Sequence, residues 1–336
     1  SEMCIRDRPY CGNLDVSKGA FDYRYDHEIS KPYFYSVFLD DYEIEARFAP
    51  MKKSAIYSFA FEKEDNPQII LRTNAKGDLI WANKALSGYE IYNGIKHYFY
   101  LEFDQDPLSV SSLDWEKICA KSISFDSSVK EIKVRYGISY ISVEQARKNL
   151  REEIADFDLD RVAGQAKQEW NKALSKIVID GGTEDQKTVF YTSLYRAHER
   201  MINISEDGKY FSGYDGKVHE DGGVDFWVDD WVWDTYLALH PLQVLLNPKA
   251  QEQKLSSYIR MYEQSGWMPT FPCVFGDAHC MNGNHVAGVF ADALHKGLQF
   301  DVEKAFEEAA YVAEGYYCYD KLPHPLPPES PGVIAQ

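Results

Sequence analysis

The sequence predicts an α+β protein in which an antiparallel β-sandwich is followed by a helical domain. Residues 33–61 contain three sets of apolar residues at every second position, separated by polar and proline breaks, which is typical of antiparallel strands. From about residue 142 the apolar spacing changes to that of amphipathic helices. No strand pattern returns between these helices, which favours helices packed on helices over a parallel βαβ sheet.

The strands of the predicted sandwich lie in the first part of the chain. Further short strands are predicted over residues 69–71, 79–81, 95–103 and 132–138, at intervals that suit a sandwich. The alternating residues of the first three strands are Tyr35, Val37 and Leu39; Tyr42, Ile44, Ala46 and Phe48; and Ala55, Tyr57, Phe59 and Phe61.

Capping motifs mark the starts of the predicted helices. Ser142 and Gln145 have the spacing of a capping box, and Thr183 and Gln186 repeat it before a later helix. Apolar residues recur at helical spacing behind each box. Later helix starts are predicted at Asn247-Pro248, Asn284 and Asp301.

The change of period divides the chain into segments. Residues 1–8 show no pattern that links them to the strands after them, so we interpret them as a non-native remnant and the chain as a fragment. Residues 9–141 form the predicted sandwich, 142–180 are predicted to be linker helices, and 181–336 begin the helical domain.

Composition excludes several classes of partner. The 336 residues carry 53 acidic and 36 basic side chains, a net charge of −17, which disfavours nucleic acid and anionic membrane surfaces. No apolar run approaches the roughly 18 residues that a membrane span needs. The 24 Tyr, 18 Phe and 7 Trp residues exceed the needs of an ordinary core, and stacking against sugars is one use for them.

Two long segments without helical spacing, residues 205–229 and 266–283, interrupt the helical half, and segments of this length are usually functional or disordered. If residues 230–239 are helical, Asp230 and Asp234 share one face, and Trp227 and Trp231 lie one turn apart. Carboxylates beside indoles would suit a sugar subsite. The alternative is a helix start that favours acidic residues, with its tryptophans in the core.

The second segment has its own candidate ligands. Trp267 with Asn284 or His285 would line a pocket, and plain packing is the alternative. His279, Cys280 and His285 offer a metal cluster only if a fourth ligand is found, because no zinc spacing is present. Cys273 and Cys280 are close enough in sequence to form one bridge in an oxidising compartment.

Several strings taken together resemble glycoside hydrolase family 92, the calcium-dependent exo-acting α-mannosidases. In the sandwich half they are YDHEISKPYFYSVFLDDYEIEA (25–46) and GISYISVEQARKNLREEI (137–154). In the helical half they are EDQKTVFYTSLYRA (184–197), VWDTYLALHPL (232–242), YEQSGWMP (262–269), CMNGNHVAGVFADALHKG (280–297) and FDVEKAF (300–306). The resemblance covers about residues 21–315.

The resemblance implies a β-sandwich followed by an (α/α)6 helical toroid, of which residues 181–336 would be the first part. It implies hydrolysis of terminal α-mannosides, often α-1,2-linked, with inversion, calcium as cofactor, mannose-containing glycans as substrates, and export to the periplasm, cell surface or medium. The family's acid and base lie in EGNxWQY-like and GNDDxGxMSAW-like strings, and neither string occurs here. We therefore predict no catalytic residue within these residues and no activity for this chain alone.

The motif match also predicts the sugar-binding residues. Asp234 would be the mannose-binding carboxylate, and Thr270 stands near the place where the family often has a basic residue. A non-hydrolytic carbohydrate-binding protein on the same scaffold is one alternative, and another toroid enzyme, such as a phosphorylase or a lyase, is a second. The predicted substrate-binding residues are Asp234, Trp233, Trp267, Asn284, His285 and Asp277.

Overall fold

A computed structural model describes residues 6–11, 24–63, 66–73, 76–115, 118–278, 280–281 and 283–313. The chain divides into two compact units, Ser1–Tyr191 and Thr192–Gln336. The first unit is an antiparallel β domain with helices after it, and the second is mainly helical, which confirms the predicted fold class. None of the helices within the described ranges has the length and apolar character needed to span a bilayer.

Two antiparallel sheets make up the β domain. One has four strands in the order β1-β6-β11-β10, and the other has eight in the order β2-β3-β4-β5-β12-β9-β8-β7. Their strands are β1 (Arg6–Cys11), β2 (Tyr25–Lys31), β3 (Phe34–Leu39), β4 (Ile44–Pro50), β5 (Ser54–Phe61), β6 (Pro67–Arg72), β7 (Gly77–Ala82), β8 (Ala85–Tyr92), β9 (Ile95–Phe103), β10 (Ser109–Trp115), β11 (Ile118–Ser124) and β12 (Glu131–Ser139).

The main core of the first unit contains apolar residues from both sheets. Every second residue of β5 faces it, so Phe59 and Phe61 are buried among Ile69 and Leu71 of β6 and Leu101 of β9. The alternation that the sequence predicts for β3, β4 and β5 is therefore confirmed, because each of these strands turns one set of side chains to this core.

The other face of the eight-stranded sheet is covered by two helices, α1 (Val143–Glu153) and α2 (Leu159–Leu174). Ile56 of β5 packs there with Leu150, Ile154 and Val162 in a second apolar cluster. The predicted cap is confirmed, because Ser142 accepts a hydrogen bond from the backbone N–H of Gln145. The helices that were expected to be a linker thus belong to the compact unit of the sandwich.

The first strand includes residues that carry no sequence signal. Residues 6–8, which the sequence pattern suggests are a remnant, begin β1, and Arg6 lies opposite Arg72 of β6. Strand pairing uses backbone donors and acceptors, so it needs no periodic side-chain pattern. Residues 1–5 lie outside the described residues.

Short strands occur among the helices of the second unit although the sequence shows no strand pattern there, and they pair antiparallel rather than in the parallel βαβ sheet that the sequence disfavours. They are too short for alternation to be seen, because two to four residues hold at most one repeat. The three antiparallel pairs are β13 (Ile202–Asn203) with β16 (Trp227–Val228), β14 (Lys209–Ser212) with β15 (Lys217–Glu220), and β17 (Pro272–Cys273) with β18 (Gly276–Asp277).

The helices begin close to where the sequence predicts them. Thr183 and Gln186 exchange the two hydrogen bonds of a full capping box, 2.9 and 3.2 Å long. Asp301 accepts a hydrogen bond from the Lys304 N–H, whereas the side chains of Asn247 and Asn284 make no capping bond. The helices are α3 (Glu184–Arg196), α4 (Val232–Thr235), α5 (Leu239–Leu246), α6 (Pro248–Ser265), α7 (His285–His295) and α8 (Val302–Ala313).

Candidate functional site

The segment between β16 and α5 departs from the predicted helix. Residues 230–239 do not form one helix, because α4 covers only four residues and a turn separates it from α5. Asp230 lies before α4, and its backbone N–H donates to the carbonyl of Pro272 at 2.9 Å. Asp230 is fully buried whereas Asp234 is exposed, so the two carboxylates do not share a face.

The carboxylate of Asp230 lies at the centre of a buried hydrogen-bond network. Thr235 Oγ1 donates to its Oδ1 at 2.9 Å, and His240 Nε2 lies 2.8 Å from its Oδ2, which also accepts from the Tyr258 hydroxyl. Gln251 Nε2 lies 2.9 Å from His240 Nδ1, so the imidazole ring has a polar neighbour at each of its nitrogens. Burial opposes ionisation of Asp230, but the hydrogen bond and charge of His240 outweigh it and lower the pKa of Asp230.

A buried lysine lies beside this network. Lys254 of α6 is 4% exposed, and its Nζ is 5.2 Å from the centre of the Trp227 ring. Burial lowers the pKa of Lys254 to about 8, although the negative charge of Asp230 acts in the opposite direction. The lysine therefore carries its charge at neutral pH in surroundings that disfavour it.

Trp231, the residue before α4, contacts an arginine and a phenylalanine. The guanidinium of Arg200 lies 4.2 Å from its ring centre, and the Phe271 ring stacks on it at 6.1 Å. Arg200 also pairs with Asp229, whose backbone has a left-handed φ of 66°. Asp is among the few non-glycine residues that adopt this conformation readily. Despite these contacts Trp231 is 40% exposed, so part of its ring surface remains open to solvent.

Asp277 holds its own hairpin together. Its carboxylate accepts hydrogen bonds from the backbone N–H groups of Thr270 and Phe271, at 2.6 and 2.9 Å. Trp267 lies just before this hairpin and comes directly after Gly266, which ends α6 with a left-handed φ of 73°. Asp277 thus shapes the segment that joins α6 to the hairpin of β17 and β18.

The two long segments singled out in the sequence meet in the structure. Gly213 of the first segment lies against the Val274 backbone of the second. The Trp231–Phe271 stack and the bond from the Asp230 N–H to the Pro272 carbonyl join the residues just after the first segment to the second. Farther along, the ring of Tyr236 stacks on His285 with centres 4.3 Å apart. The structure therefore brings the turn after α4 to the beginning of α7.

An indole and a carboxylate are exposed together on α4. Trp233 is 51% exposed, and Asp234 beside it is also exposed. Asn284 and His285 lie at the start of α7, beside Tyr236, and are half-buried. A sugar ring is bound well by such groups, because an indole covers its C–H face while a carboxylate accepts hydrogen bonds from its hydroxyls.

Evidence for a metal centre is lacking in the described part of the chain. No three His, Cys, Asp or Glu side chains converge there, and His279 lies outside the described residues. Cys273 and Cys280 are free thiols. Burial, followed by the charge of Asp229, raises the pKa of Cys273 to about 12, so this thiol is a poor metal ligand near neutral pH.

Sequence reasoning missed the partners of Asp230 and several other residues that shape the site, among them Arg200, Tyr236 and Tyr258. Arg200 comes after α3 in an irregular segment, Tyr236 is in the turn after α4, and Tyr258 is on the buried side of α6. The apolar spacing of α6 marked Tyr258 as a core residue, but its bond to Asp230 depends on a distant segment. No local pattern indicates the contacts of Arg200.

A β domain followed by helices, with an exposed indole next to a carboxylate on α4, fits the class of carbohydrate-processing enzymes. Matches to two family models identify the family within this class. The glycosyl hydrolase family 92 N-terminal domain matches residues 7–139, and the glycosyl hydrolase family 92 catalytic domain matches residues 145–325. The chain therefore belongs to glycosyl hydrolase family 92.

Solved structures with a similar fold include mannosidases. The family GH92 inverting mannosidase BT2199 from Bacteroides thetaiotaomicron VPI-5482 is 26% identical, with a TM-score of 0.85. The GH92 α-mannosidase BT3965 from Bacteroides thetaiotaomicron is 23% identical, also with a TM-score of 0.85, and a second structure of it contains mannoimidazole. This chain is covered to 92% and spans 45% of BT2199 and 47% of BT3965. A search of curated protein sequences finds no match.

Proposed function

We propose that the whole protein removes terminal α-linked mannose from glycans, with α-1,2 linkages as its main substrates, by an inverting mechanism outside the cytoplasm. Membership of family 92 and the likeness to an inverting mannosidase support this proposal. The observation that carries it is the exposed Trp233–Asp234 pair on α4, close to the Tyr236–His285 stack.

The described residues would bind the sugar rather than transfer protons. Asp234 would accept hydrogen bonds from two neighbouring hydroxyls of a terminal mannose, and Trp233 would cover the apolar face of the ring. His285 would be oriented by its stack on Tyr236 and would offer a ring nitrogen to the same sugar. Trp267 and Asn284 would complete the pocket, and Asp277 would act by shaping the hairpin.

An inverting hydrolysis needs two further carboxyl groups. One protonates the leaving oxygen while the other activates a water on the opposite face of the ring, which requires a separation of roughly 6.5–9.5 Å. We assign both groups to the part of the family that this chain does not span, so the 336-residue chain should bind sugar without cleaving it.

Calcium enters the proposal through the family resemblance alone. A hard cation with oxygen ligands would bind sugar hydroxyls and favour a distorted ring. The described residues do not fit such a site by their acidic side chains, since no three of them converge.

The test uses the full-length protein with α-1,2-linked mannobiose. We expect NMR to show that mannose is released as the β-anomer. Asp234→Ala should lower kcat/KM by at least about 100-fold, since a charged hydrogen bond is strengthened in the transition state. The control is Asp292→Ala, because Asp292 is bonded to Lys296 on α7 and should be silent.

Two results would contradict the proposal. Near-normal kinetics of the Asp234 variant would remove that residue from the site. Binding of methyl α-mannoside by calorimetry, without cleavage of any α-mannoside by the full-length protein, would establish a carbohydrate-binding protein on the same scaffold instead.

A further inference from the structure

We propose that Asp230 is a positioning residue that fixes the Trp233–Asp234 pair for sugar binding without touching the sugar, an inference that rests on the function proposed for that pair. Asp230 is fully buried, so its carboxylate cannot reach a ligand at the surface of α4. Its influence on binding must pass through the residues that it contacts.

The helix that carries the pair cannot orient itself. It has four residues, and Trp231 at its N-cap makes no side-chain capping bond. A single turn is unstable on its own, because nucleation costs more than one turn of hydrogen bonds returns. The position of α4 therefore depends on contacts with other segments, and Thr235 supplies one through its bond to Asp230.

The carboxylate joins three helices at one point. Thr235 brings α4, His240 brings α5 and Tyr258 brings α6, and each donates to the same carboxylate. Gln251 of α6 completes the arrangement by holding the ring of His240. Removal of the carboxylate would take away the acceptor that these three donors share. Thr235 would keep its bond to the Trp231 carbonyl and Tyr258 its contact with His240, but the bonds that join α4 to α5 and α6 through Asp230 would be lost or replaced by water.

Asp229 and Asp230, which precede α4, are held by different partners. Asp229 pairs with Arg200, which stacks on Trp231, whereas Asp230 points into the interior. Between them they define where the chain enters α4. A displacement of about 1 Å in such a group can cost about 100-fold in rate, because the bound geometry must match the transition state closely.

A double-mutant cycle on the full-length protein separates positioning from general stability. Asp230→Ala should lower kcat/KM for α-1,2-mannobiose by about tenfold to 100-fold when Asp234 is present, and by less than about threefold in the Asp234→Ala background. Ser212→Ala is the control, because Ser212 is fully buried and bonded to Gln264, far from this network in sequence, and its effect should be equal in both backgrounds.

Conservative variants cover the case in which Asp230→Ala fails to fold. Thr235→Ser keeps the hydroxyl and should retain activity, whereas Thr235→Val should lose about tenfold. An equal loss from Asp230→Ala in both Asp234 backgrounds, or equal activity of the two Thr235 variants, would overturn the proposal.

The positioning role of Asp230 can be tested even if the proposed function is wrong. Should the wild-type protein cleave no α-mannoside, amide hydrogen exchange of residues 232–236 in the full-length protein replaces the kinetics. Faster exchange in Thr235→Val than in Thr235→Ser, with no change in Ser212→Ala, supports the positioning role. Identical exchange in all of these variants overturns it.

Discussion

Replacement of Lys254 by methionine should stabilise the second unit at neutral pH. The pKa of Lys254 falls from its ordinary 10.5 to about 8, a difference of about 2.5 that corresponds to about 3 kcal/mol at 1.36 kcal/mol per pKa unit. Loss of the contact between the ammonium and the Trp227 ring offsets about 1 kcal/mol of this. Lys254→Met keeps the length of the apolar stem, so the expected gain at pH 7 is about 2 kcal/mol.

The sign of the pH dependence is set by proton binding. Between pH 8 and 10.5 the unfolded chain holds a proton on Lys254 that the folded protein has released, so the stability of the wild type rises with pH across this range. The advantage of Lys254→Met should therefore shrink to about 1 kcal/mol or less at pH 9.5.

Urea unfolding at pH 7 and pH 9.5 measures this difference, with hydrogen exchange of α6 peptides reporting the second unit separately. Lys249→Met is the matched control, because Lys249 is exposed at the start of the same helix and should change stability by less than about 0.5 kcal/mol. The reasoning would be refuted if Lys254→Met were less stable than the wild type at pH 7. It would also be refuted if the gain in stability were the same at pH 7 and pH 9.5.

Two further substitutions test the packing. Ile56→Ala should cost about 2–5 kcal/mol in urea unfolding of the first unit, because it opens a cavity beneath α1 and α2, while Ile29→Ala on an exposed strand should cost far less. Gly213→Ala should lower the free energy of unfolding by about 1–3 kcal/mol, since its Cβ would lie 2.2 Å from the Val274 carbonyl oxygen. Gly164→Ala, where α2 has open space for a Cβ, should slightly raise the stability measured by thermal unfolding.

The elements that could be predicted are those whose signal is local. The strands from β3 to β5 are recognisable because one face is buried and side chains alternate, and α1 because Ser142 caps it within three residues. The short strands β13 to β18 gave no such signal, since their pairing depends on backbone contacts in irregular segments.

The site was only partly predictable for the same reason. Asp230 and Asp234 have helical spacing, yet Asp230 leaves the helix because its N–H bonds to Pro272 and its carboxylate bonds to His240 and Tyr258. These partners are distant in sequence, so spacing alone could not exclude a shared face. The roles of the six predicted sugar-binding residues stay predictions.

Strand β5 is buried on both faces, which limits where recombination can separate the two domains of the family. The two family models abut between residues 139 and 145, but Ile56 of the earlier segment packs on Leu150 and Val162 of the later one. Recombination at that junction would encode a sandwich without α1 and α2. The apolar surface that these helices cover would then be exposed and would promote aggregation in the cell. The smallest exchangeable module therefore runs to the end of α2 rather than to the end of β12.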